Sequence, residues 1–120
     1  MIQTAQIIME DVAKAFGVTV EDLRSHNRKA PLADARAITA YLFTRLLHMS
    51  STESGKILNR NHASILHNVH KVEGMKQWPK MFSRNLNILK SIEDKYFNKS
   101  NIKPNEVIET KSTAVDEMGG

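Results

Sequence analysis

Apolar residues recur at intervals of three and four along most of this chain, the repeat of helices that bury one face. Ile8, Val12 and Phe16 mark a first helix from about Thr4 to Phe16, with Gly17 suited to end it. Thr19 and Asp22 then form a capped single turn closing at Leu23. Ser25 to Pro31 reads as an irregular basic loop, because Pro31 disfavours helix at Ala30. Ile38, Leu42, the Arg45 stem, Leu46 and Met49 place a central helix over about Ala33 to Met49. Ser50-Ser51-Thr52-Glu53 is a capping box that starts a helix at Ser51, running only to about Leu58. After the polar break Asn59-Arg60-Asn61, Asn61 caps a further helix whose residues Ile65, Leu66, Val69 and Val72 face a core. Trp78-Pro79 stops it, and Phe82, Leu86, Leu89, Ile92 and Tyr96 mark a last helix from about Lys80 to Tyr96.

No strand alternation or internal repeat interrupts this series, so the fold class is all-α. One helical domain is expected over residues 1–96. From residue 97 the apolar repeat fails, and 97–120 is expected to be a disordered C-terminal tail.

Short helix, tight polar turn and longer helix are the order of a helix-turn-helix. The outward residues of the longer helix and its lead-in, Arg60, Asn61, His62, Ser64, His67 and Lys71, are rich in donors and include no carboxylate. Charge supports that assignment. Residues 24 to 71 hold eight Lys or Arg against two acids, Asp34 and Glu53, so a +6 segment lies within a chain of net charge +4. Concentrated positive charge is what a phosphate-tracking surface requires. Dispersed solubilising charge would be interleaved with acids.

Other classes of function find little support. No apolar run approaches the ~20 residues that span a bilayer. The chain has no cysteine, and its start lacks the basic residues of a secretory signal, so a cytoplasmic, nucleoid-associated protein is expected. His62 and His67 lie five apart on a helix, with no nearby acid or cysteine to complete a metal site with them. Ser64 has no partner to activate it as a nucleophile. An enzyme, a cofactor and a metal are therefore not expected.

Arg60-Asn61-His62-Ala63-Ser64-Ile65-Leu66-His67-Asn68 resembles the signature Gly-Gly-Arg-Asp-His-Ser/Thr-Thr-Val-Leu-His-Ala of the C-terminal DNA-binding domain of the bacterial replication initiator DnaA. Upstream, Ile7 to Leu23 is similar to that family's first helix and following turn. Arg28-Lys29 stands at its basic loop, and Arg36 to Leu42 at the start of its long helix. Asn61 replaces an aspartate, Ala63 a hydroxyl residue, and Asn59 alone stands for the glycine pair. No Gly-x-x-x-x-Gly-Lys-Ser/Thr phosphate loop occurs, so the initiator's ATPase is not expected here.

The expected fold is a TrpR-like helix-turn-helix domain that binds double-stranded DNA and acts in replication or its regulation. Arg60, Asn61, His62, Ala63 and Ser64 would read bases in the major groove, and the resemblance implies Arg28 in the adjacent minor groove. Lys29, Arg36, Ser51, Lys56, His67 and Lys71 would meet phosphates. An Asn contact to adenine and an Ala63 contact to a thymine methyl suggest a site containing A/T pairs. One rival is a helical adaptor docking on a replication initiator or another replication or transcription protein. An RNA binder is disfavoured, since single-strand readers expose aromatics and this chain has seven, most at core spacing.

Overall fold

A computed structural model describes residues 2–101, with side chains over 4–96. Among the described residues every regular element is helical: α1 (Ile2–Phe16), α2 (Val20–Arg24), α3 (Ala30–Tyr41, continued by a π-helical turn over Leu42–Leu46), α4 (Ser51–Leu58), α5 (His62–Met75) and α6 (Ser83–Asn101). The expected all-α class is what the chain adopts. The tail residues 102–120 lie outside the described residues, and α6 continues past Tyr96 to Asn101.

Local side-chain caps set several boundaries. Thr19 accepts from the Asp22 N–H while the Asp22 carboxylate accepts from the Thr19 N–H, and Ser50 with Glu53 repeats the pattern at α4. Each pair satisfies donors that a helix start leaves free. Gly17 follows α1 with φ of 70°, a left-handed angle that suits glycine.

α3 is the hub, packed on α1, α5 and the turn that follows it, and every residue from Ala35 to Phe43 is buried. It starts earlier than Pro31 suggested. With Lys29 as N-cap, the proline falls in the first turn, where its missing N–H is not needed. It also ends before Met49. The π turn brings Leu47 N–H to Leu42 O at 3.1 Å and Met49 N–H to Phe43 O at 2.9 Å, and His48 turns left-handed with φ of 58°. The turn sends Leu42, Phe43, Leu47 and Met49 inward, while Arg45 points outward to Glu73 at 2.8 Å. The Arg45 stem thus lies off the core stripe.

Two further departures concern surfaces. Leu66, expected in the core, is 46% exposed, whereas Ile65, Val69 and Val72 are buried as expected. Chain between α5 and α6 forms turns over residues 76–82, so the last helix begins at Ser83 rather than Lys80 and leaves Trp78 and Met81 exposed.

Candidate nucleic-acid interface

The turn between α4 and α5 is built by three small features. Asn59 takes a left-handed conformation with φ of 59° and ψ of 48°, which asparagine tolerates better than most side chains. Arg60 N–H then donates to Gly55 O at 2.8 Å, closing the helix end. Gly55 is the residue that sequence reasoning passed over. A Cβ there would lie 2.3 Å from the Arg60 carbonyl oxygen, so only glycine lets the chain turn this closely over α4. A glycine inside a short capped helix was the available signal, since it weakens a helix unless some close approach needs it.

Asn61 caps α5: its Oδ1 accepts from Ser64 N–H at 2.8 Å. His62 and Ala63 follow on the exposed first turn, and Ser64 is half-buried beside them. α5 is held from behind by Ile65, Val69, Val72 and Met75, none more than 2% exposed. Its tip is therefore a rigid projection with polar residues at the front.

Across from that tip runs the loop between α2 and α3. The Ser25 hydroxyl donates to Asp22 O at 2.7 Å and accepts from Asn27 N–H at 3.2 Å, and Asn27 Oδ1 accepts from Lys29 N–H at 3.0 Å. Arg28 and Lys29 are exposed on this braced loop. Between loop and helix lies a cleft whose rim includes His26, Arg28, Asn61, His67, Asn68 and Lys71, with no carboxylate among its described lining residues.

Two of the expected DNA contacts are engaged elsewhere. Arg36 is only 6% exposed and was expected on a phosphate. Instead its guanidinium donates to Leu23 O at 2.8 Å, to Asp22 O at 2.9 Å, to Ser25 O at 2.8 Å and to Asn27 O. A planar fork can serve several carbonyls at once, and here it ties the loop to α3. Arg60 was expected on a base. Its guanidinium instead donates to the carbonyls of Leu58, Asn59 and Ser25, fastening the helix-turn-helix turn to the same loop. Burial lowers the pKa of both groups from the usual arginine value. The Arg60 charge adds to this at Arg36, where Asp22 opposes it, and the Arg28 charge adds to it at Arg60. Three guanidiniums thus line one cleft, those of Arg36 and Arg60 tied to backbone carbonyls and that of Arg28 exposed.

The other expected residues lie as follows. Ser51 opens α4 and is half-buried, and Lys56 is exposed on the same helix. His67 is exposed on the cleft face of α5. Lys71 also faces the cleft but pairs with Asp34 at 3.2 Å, both side chains about one-third exposed. The structure thus brings Arg28, Asn61, Ser64, His67 and Lys71 around one cleft, with His62 and Ala63 on the adjoining tip.

The chain is similar to known proteins over this same region. A family model described as the bacterial dnaA protein helix-turn-helix matches residues 5–72. Among curated proteins, the chromosomal replication initiator protein DnaA of Desulfatibacillum aliphaticivorans is 41% identical over 70 residues, covering 58% of this chain and 15% of that protein. The protein of that name from Lachnoclostridium phytofermentans is 37% identical over 71 residues, covering 58% of this chain and 16% of that protein. The one from Thermoanaerobacter sp. is 29% identical over 87 residues, covering 72% of this chain and 20% of that protein. The chain thus spans no more than about a fifth of the length of these relatives.

Proposed function

This chain belongs to the bacterial dnaA helix-turn-helix family, and on that premise we propose that it binds duplex DNA sequence-specifically and acts in replication or its regulation. The observation that carries the reading is the cleft between the Arg28 loop and the tip of α5, whose described lining residues include three arginines and Lys71 and no carboxylate, set on a rigid helical scaffold. Such a tip suits the major groove, where the first residues of a recognition helix meet base edges. Asn61, His62, Ala63 and Ser64 are its readers. Arg28, exposed on a braced loop, enters the neighbouring minor groove, which accepts an arginine more readily than a helix.

Register is set by phosphate contacts from Lys29, Lys56, His67 and Lys71 and from the Ser51 end of α4. Arg36 and Arg60 act one step back, holding the loop and the tip in fixed relation. Nothing in this division needs a cofactor, a metal or a catalytic step, and the reading is of a binding protein rather than an enzyme. No helix among the described residues is long and apolar enough to cross a membrane.

The test is a titration of the chain with random duplex DNA at several salt concentrations, followed by selection from a random duplex pool. Binding should weaken with salt at a slope of about -0.9 per phosphate contact, and selection should recover one sequence. Negligible duplex binding at every salt would instead support an adaptor that kept the fold and docks on a replication or transcription protein.

A further inference from the structure

We propose that Asn61 is a donor-only reader that selects guanine at its base pair and rejects cytosine, an inference that rests on the duplex-binding reading above. The argument begins with the cap. Asn61 has φ of -79° and ψ of 167°, and its Oδ1 is committed to Ser64 N–H at 2.8 Å. The amide oxygen is therefore turned back onto the first turn of its own helix. Its Nδ2 makes no hydrogen bond among the described residues, and the side chain is exposed ahead of the helix.

A base approaching the outer end of the Asn61 side chain meets the two N–H donors of Nδ2, while Oδ1 faces Ser64. In the major groove guanine offers two adjacent acceptors, O6 and N7, whereas cytosine offers a donor, its N4 amino group. Adenine is bound well by asparagine only when oxygen and nitrogen of one amide both reach its N6 and N7. With Oδ1 turned onto Ser64, that two-point contact would require α5 to give up its cap. The fold thus replaces the adenine preference expected from side-chain type with a preference for the acceptor-rich base.

Asn61→Asp is a sharp probe, because aspartate caps a helix as well as asparagine does. It retains the capping oxygen and puts a second oxygen where Nδ2 stood, so donor becomes acceptor without loss of the helix start. Its added negative charge weakens binding to every duplex, so the informative quantity is a ratio. Selection from a random duplex pool is run with the full chain and with Asn61→Asp, followed by affinities for duplexes differing at single base pairs.

The expected result is guanine at one position with the wild-type chain and cytosine at that same position with Asn61→Asp. The guanine-to-cytosine affinity ratio should move by about 100-fold, roughly tenfold for each contact exchanged. All other positions and the melting temperature should stay unchanged. Asn61→Ser, which retains a capping hydroxyl, should lose discrimination at that pair alone. Sequence-specific binding that Asn61→Asp leaves unaltered, or a wild-type preference for adenine at the altered position, overturns this inference alone. A wild-type chain that binds no duplex overturns the DNA reading and this inference together.

Discussion

Arg28 and Arg36 belong to the same basic stretch and do opposite things. Arg36 is sunk beneath the α2–α3 loop with its guanidinium spread over the carbonyls of Asp22, Leu23, Ser25 and Asn27. Arg28 stands exposed on the loop that Arg36 fastens. Residue type and local charge do not separate a framework cation from an exposed one. What separates them is whether free carbonyls lie within reach, and that depends on how residues 22–27 turn back over α3. Arg60 falls on the framework side, whereas His62 is exposed and free for the contact proposed above, although they flank one asparagine.

The comparison breaks most severely at Arg36. Arg36→Ala leaves the Leu23 and Asn27 carbonyls without their side-chain donor and takes one donor from those of Asp22 and Ser25, at about 1 to 3 kcal/mol for each group left unsatisfied away from water. A loss of about 3 kcal/mol or more of folding stability is expected, read as a fall in melting temperature of roughly 12 °C or more. Arg36→Lys should recover little, because an ammonium lacks the planar fork. Thermal unfolding of both variants checks this, and a melting temperature near wild type would place Arg36 among the contacting residues after all.

Gly55→Ala comes next. The added Cβ would press on the Arg60 carbonyl at 2.3 Å, which is backbone and cannot swing aside. Helix propensity favours alanine by about 1 kcal/mol, and overpacking costs about 1 to 3 kcal/mol, so a net loss of stability is expected. The shifted turn should also lower affinity for the selected duplex. A stabilised Gly55→Ala with full affinity would show that the close approach is dispensable.

Much of this arrangement was legible in the sequence, for a physical reason. Thr19, Ser50 and Asn61 start helices through bonds spanning three residues, so both partners are visible in a short stretch of chain. The carbonyls that hold Arg36 lie 9 to 14 residues away, and the one on Ser25 that holds Arg60 lies 35 away. No local pattern encodes those distances. The π turn after Tyr41 was hidden for a similar reason. It is stabilised by what Phe43, Leu47 and Met49 bury against neighbouring helices, and a regular helical repeat does not record that. Leu66 satisfied the apolar repeat but lies at the edge of the buried stripe.

On the contacting side, Arg28→Ala and His62→Ala each remove an exposed side chain, so each should change folding stability by less than about 0.5 kcal/mol. Their effect should fall on recognition, at about 1 to 3 kcal/mol on the selected duplex and much less on random duplex. Arg28→Ala should relax preference only in pairs flanking the core, where the proposed minor-groove contact lies. Arg60→Ala sharpens the contrast: it should lower stability by about 1 to 2 kcal/mol through its lost carbonyl partners. The ratio of specific to random-duplex affinity at one salt concentration, set beside melting temperatures, sorts all three. An unchanged ratio for both Arg28→Ala and His62→Ala would remove them from readout and favour the adaptor.

The smallest effects separate the two lysines. Lys56 is exposed and makes no ion pair among the described residues, so Lys56→Ala should lower the salt slope by about 0.9 and weaken all duplexes equally. Lys71 shares its charge with Asp34 at 3.2 Å in a pair about one-third exposed, a setting where ion pairs contribute little to stability. To meet a phosphate, Lys71 must weaken that pair or leave Asp34 facing the duplex nearby. Lys71→Ala should therefore cost less affinity than Lys56→Ala. Asp34→Asn, which retains an oxygen to accept from Asn85 Nδ2, should tighten binding to every duplex while leaving sequence preference untouched. Salt titrations of the three variants on one random duplex make the comparison. If Asp34→Asn instead weakened binding, the Asp34–Lys71 pair would be positioning the lysine rather than restraining it.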